Sequence, residues 1–152
     1  MPSTRRSALA AILWGGFIAG TVDIGAASLI SGYSPVVILK YVAGGLLGRG
    51  SLAGGMDNAA LGLVLQWIMS IVIAAIFVMS LRGRVVKPGL WTVWGIAYGA
   101  VVFAVMNYVV VPLSALQSVP HFSVFSFVAN LAAMLLFGWI VAFFARVFLA
   151  RP

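Results

Sequence analysis

The chain has 152 residues; 64% are hydrophobic, 7% are charged, and none is cysteine. Soluble domains carry about 45–50% apolar and 25% charged residues, so these few charges cannot clothe a water-facing surface, and the main solvent must be lipid. The lack of cysteine excludes disulfides, thiolate metal sites and thiol nucleophiles; the net charge of +7 sits beside apolar runs, not among aromatics, and so reads as a topology signal, with no nucleic-acid partner expected.

A hydrocarbon core about 30 Å thick needs roughly 20 apolar helical residues. Four runs meet that length: 8–30, 59–81, 90–111 and 124–148. They are continuously apolar and do not alternate, so they read as helices, not barrel strands. The expected fold is an all-α integral membrane four-helix bundle. Residues 1–152 form a single transmembrane domain.

Arg5 and Arg6 precede the first run. A signal peptide starts in a similar way, and Gly25-Ala26-Ala27 resembles a small-residue cleavage site. Against that reading, the run is too long for a signal core and contains Asp23. Arg82, Arg84 and Lys87 fill the second connection, and Arg146 and Arg151 the C-terminal end. With four spans these seven lie on one side, and only Lys40 and Arg49 lie on the other. The positive-inside rule then puts both termini in the cytoplasm.

After the first span, Ser34 and Pro35 make an N-cap and first-turn pair. The apolar segment 35–48 that follows is too short to span. It is interrupted by Lys40 and Gly44-Gly45 and fits an interfacial or re-entrant helix on the outer side. Asp57 or Asn58 is placed to cap the second span. Pro88 opens the third span and Pro112 ends it. Trp91 and Trp94 fall at an inner aromatic belt, Tyr33 and Tyr108 at an outer one. Trp14-Gly15-Gly16 and Trp94-Gly95 hint at a two-plus-two duplication, over a few residues only.

Small residues let helix backbones approach in lipid. Gly16 and Gly20 form such a pair in the first span, and Gly95 and Gly99 in the third. Their depths match, which predicts a close crossing of spans one and three; a homodimer seam is the alternative.

Toward the outer side each span contributes one polar group: Asp23, Gln66, Asn107 and Asn130. Asp23 shares the face of Gly16, with Ala27 continuing the stripe. Gly62, Gln66, Ser70 and Ala74 form a stripe on the second span; Ser126, Asn130 and Ala133 form one on the fourth. Amides in such positions serve as interhelical glue or line a solute pathway. An intramembrane acid is costly, at about 2.5–3.5 kcal/mol, and is a functional candidate by default. Lys40 is the nearest cation to Asp23 in this layout and reaches it only if segment 35–48 dips into the membrane. His121 has no second ligand spaced to help it, so no metal and no cofactor is expected.

The stretches Ile18–Ala26, Ser34–Leu39, Gly44–Gly48 and Met106–Ser114 resemble a set of small proteobacterial inner-membrane proteins with no established activity. The layout is similar to that of the YagU-like inner-membrane proteins. The resemblance implies a bacterial inner-membrane location and supplies no functional residues.

Three functions compete. The first is a non-enzymatic accessory or scaffold protein, with the bilayer and another membrane protein or a second copy as partners. The second is a small oligomeric permease or proton-linked transporter that uses Asp23. The third, a membrane enzyme, lacks a nucleophile–base pair, since Asp23, Asp57 and His121 are the only classical acid–base groups.

Overall fold

The computed structural model describes residues 2–149, with side chains from Ser7 onward. The side chains of Arg5 and Arg6, and all of Arg151, lie outside the described residues. Helix α1 spans Pro2–Ser31, α2 Pro35–Leu47, α3 Met56–Leu81 and α5 Val124–Leu149. Between α3 and α5, α4 starts as Leu90–Val105 and continues as far as Leu113. Among the described residues, four segments are long and apolar enough to cross a membrane: Ser7–Ser31, Met56–Leu81, Leu90–Leu113 and Val124–Leu149. The fold is therefore an all-helical bundle of four membrane-length helices with one short apolar helix, α2, between the first two.

The helix ends have local causes. Ser34 caps α2 through its carbonyl, which accepts Val37 and Ile38 N–H at 3.0 and 3.2 Å; its hydroxyl makes no capping bond. Gly48, at φ 80°, ends α2 with a conformation that only glycine adopts freely. Gly55, not Asp57 or Asn58, is the N-cap of α3. Asp57 sits in the first turn, where its charge suits the helix dipole, and Asn58 instead donates to Ser51 O at 2.9 Å. Pro88 precedes α4, whose N-cap is Gly89.

Pro112 does not stop α4 outright. It cannot donate an N–H, and the preceding turn, Met106–Val110, widens into a π-helix in which Val111 N–H reaches Met106 O. The helix then closes with Val111–Leu113.

The order of packing corrects the expected crossing of spans one and three. Helix α1 lies between α3 and α5, and α5 lies between α1 and α4. The glycines show why. A Cβ on Gly16 would fall 2.6 Å from Ile71 Cα, and one on Gly20 would strike the Ser70 hydroxyl, so this pair faces α3. Gly95 and Gly99 face α5 instead. A Cβ on Gly95 would lie 2.7 Å from Gly138 O; one on Gly138 would lie 2.6 Å from Gly99 N and 2.8 Å from Gly99 Cα. Gly138 is thus seated against both α4 glycines. Gly15, one residue before Gly16, turns to Val141 and Phe144 of α5. Adjacent glycines differ by about 100° on a helix, so Gly15 and Gly16 open α1 to two different neighbours.

The continuous core lies in one half of the bundle. It joins Ala8, Ala11 and Ala19 of α1, Ala74, Phe77 and Val78 of α3, Trp91 of α4, and Phe137, Val141 and Ala145 of α5. The connection that carries Arg82, Arg84 and Lys87 lies at this end, which is called the inner half below. Trp91 is buried in it and so is no interfacial anchor, whereas Trp94 is half exposed. In the outer half, α4 and α5 are joined by the rings of Phe103, Phe122 and Phe127, whose centroids are 5.3–5.9 Å apart.

Adding one methyl group at Gly138 tests this packing. Gly138→Ala should lower the thermal unfolding midpoint in detergent, with a cost of about 1–3 kcal/mol for overpacking. Gly25 has open space around its Cβ position, so Gly25→Ala should leave the midpoint unchanged or raise it. Equal effects at the two sites would contradict the close approach.

Candidate functional site

The outer half of the seam between α1 and α3 carries polar groups. Below it, Gly20 and Ser70 bring the two backbones together. One turn further out, Gln66 Nε2 donates to Asp23 Oδ2 at 2.9 Å and lies 3.5 Å from Gly20 O. Gln66 is buried. The stripe Gly62, Gln66, Ser70, Ala74 is buried along its whole length; Gln66 and Ser70 face α1, and Gly62, at its outer end, faces α2. A second link, Trp67 Nε1 to Thr21 Oγ1 at 3.2 Å, secures the same level.

Helix α2 supplies the next wall. It rests on α3 where Gly62 lacks a side chain: a Cβ there would strike Leu39 O. Gly62 is about 9 Å along the axis from Met56, at 1.5 Å per residue. The middle of α2 thus lies beside the body of α3, not beyond its end. A second hold comes from the connection after α4. Ala115 N–H donates to Gly45 O at 2.9 Å, and the buried Leu116 covers Gly44. Ser51 Oγ donates to Lys40 O at 2.9 Å and ties the Arg49–Ala53 turn beneath α2.

A cavity of about 300 Å³ is left between α1, α2 and α5. Asp23, Gln66, Ser126 and Asn130 line it, with Ala27, Ser31 and Tyr41 higher up. Ser31 and Ser126 sit at helix ends, so the cavity reaches the outer end of the bundle. Asn130 donates through Nδ2 to Ser126 O at 2.7 Å and to Ser126 Oγ at 3.3 Å. Its amide hydrogens are therefore spent on α5, and its oxygen is the group it offers to the cavity. A carboxylate, an amide oxygen and hydroxyls make a lining rich in acceptors. It suits a small ligand that donates hydrogen bonds or carries positive charge.

Two of the expected polar groups stand elsewhere. Asn107 lies in the π-helical turn, and its Nδ2 donates to Phe103 O on its own helix at 2.9 Å. It does not line the cavity. Lys40 does not line it either, and no ion pair with Asp23 forms among the described residues. Its helical phase is the reason: Ile38 and Val42 face the cavity, and Lys40 is about 200° round from Ile38. The segment thus lies along α3 as a lid would, but it covers the site with apolar residues and a tyrosine. His121 is exposed in the outer connection, and no cluster of three potential metal ligands occurs among the described residues.

Tyr41 and Gly138 had sequence signals of their own. Tyr41 is three residues from Ile38 and so shares its face. Gly138 and Ala142 are four apart, the spacing of a small-residue packing pair.

A double-mutant cycle should show the link between Asp23 and Gln66. Asp23→Ala and Gln66→Ala are each expected to destabilise the bundle. The coupling between them should be about 0.6–1.7 kcal/mol, the range for side-chain hydrogen bonds in lipid. Reversible unfolding in bicelles measures it, and additive effects would contradict the bond. No protein-family model, curated protein or solved structure matches this chain, so the functional reading rests on the site itself.

Proposed function

We propose that the chain is a non-enzymatic accessory protein of a bacterial inner membrane, with both termini in the cytoplasm. Its working part is the outer cavity, which holds a small hydrogen-bond-donating or cationic ligand over Asp23. One observation carries this reading: the cavity is lined by a carboxylate with a single amide donor, and the packed core lies below it. Such a site binds from one side without offering a path through the chain. The Lys and Arg distribution supports the orientation. The partner of Asp23 is an amide, not a nucleophile or a base, which argues against an enzyme.

A second reading, an oligomeric proton-linked permease, is favoured by the placement of a carboxylate in a cavity at the outer end of the bundle. Flux measurements separate the two. The protein is reconstituted in liposomes containing a pH-sensitive dye, and a proton gradient is imposed. The accessory reading expects flux no greater than in protein-free liposomes, for wild type and Asp23→Asn alike. Proton flux that wild type supports and Asp23→Asn abolishes would establish the permease.

A further inference from the structure

A second cleft, of about 290 Å³, opens between α3 and α4 at the opposite end of the bundle. These two helices do not pack backbone to backbone. They meet through Tyr98, whose hydroxyl donates to Ile73 O at 2.7 Å and whose ring lies 5.1 Å from that of Phe77. Below this crossbar the walls are Phe77, Leu81, Trp94 and Ala97, and Arg84 stands at the mouth. From Leu81, where α3 ends, to Phe77 is about 6 Å of helix axis, within the roughly 15 Å of one leaflet.

The charges at this mouth have no side-chain counter-ion. The only two acidic residues, Asp23 and Asp57, belong to the other end of the bundle, whereas Arg82, Arg84 and Lys87 share the connection beside the cleft. Gly83, at φ 81°, makes the turn that brings Arg84 N–H to Leu81 O at 3.1 Å and keeps Arg84 beside the helix end. Ser80 donates its hydroxyl to Phe77 O at 2.8 Å, so a headgroup would find its donor in Arg84.

We propose that this cleft binds one anionic phospholipid, with its phosphate on Arg84 and one acyl chain against Phe77, Tyr98 and Val101. An apolar recess within the hydrocarbon must be filled, because an empty one forfeits dispersion contacts on every wall. The guanidinium is a planar fork of donors that matches a phosphate. A zwitterionic lipid would fill the walls equally well, but its choline would meet the like charges of Arg82 and Lys87. Basic recesses between membrane helices at the cytoplasmic face are suited to anionic headgroups on these grounds.

Native mass spectrometry tests the proposal. The full chain is incubated with mixed vesicles of phosphatidylglycerol and phosphatidylcholine in equal amounts, then extracted in mild detergent. One phosphatidylglycerol should be retained per chain, in excess over phosphatidylcholine by at least about five-fold, the effect of one basic residue near a headgroup. Arg84→Gln should weaken that preference, leaving only what Arg82 and Lys87 contribute. Ala97→Trp, which fills the cleft from an exposed position and leaves every charge in place, should remove retention itself. Equal retention of the two lipids by wild type would overturn the proposal. So would an undiminished preference in Arg84→Gln, or displacement of the lipid by inorganic phosphate, which would assign Arg84 to a free anion.

Discussion

Lipid tails are as apolar as leucine, so helices in a membrane gain little from hiding apolar surface against one another. What holds them is how closely their backbones can come. Between the four membrane-length helices that constraint is met most tightly at Gly138, which sits against Gly95 and Gly99. Gly15, Gly16 and Gly20 do the same for α1 against its two neighbours. The bundle therefore follows the order α3, α1, α5, α4, and its two end helices are joined by Tyr98 alone among the described hydrogen bonds.

The division of the molecule follows from that order. The small residues and the core cluster occupy the same half, and there the helices close. Toward the other end the seam between α1 and α3 changes from glycine contact to a hydrogen bond between Asp23 and Gln66. Helix α2 fills part of the widening space by leaning on Gly62, and the remainder is the cavity. The carboxylate is thus neither lipid-facing nor paired with a cation. It is held at the point where close packing ends, and that position gives it a ligand-sized space above.

Much of this was legible in the chain, for physical reasons. Spans were legible because bilayer thickness fixes helix length; the structure extends each by no more than a few residues. The faces of α1 and α3 were legible because small and polar residues recur at helical spacing, as in Gly62, Gln66, Ser70 and Ala74. The partner of each face was not. Matching depth cannot choose between α3 and α4 for Gly16 and Gly20, because residues of both helices pass at that level. Ser70 and Ile71 accept them, while Gly138 takes the α4 pair. Asn107 misled because Pro112 widens the turn that carries it and its amide bonds within the helix. Lys40 misled because nearness in sequence says nothing of helical phase, and its phase turns it from the cavity.

The central claim is a packed inner half beneath a water-reachable outer cavity, and thiol labelling reads it directly. The chain has no cysteine, so single substitutions need no background removal. Ala27 and Ser126 line the cavity, whereas Ala74 is fully buried in the core. A membrane-impermeant maleimide needs an ionised thiol and hence water. In sealed vesicles, Ala27→Cys and Ser126→Cys should label from the side on which Asp57→Cys labels. Ala74→Cys should label only after denaturation. Cavity positions that stay unreactive from that side, or an Ala74→Cys that reacts in the folded protein, would contradict the division.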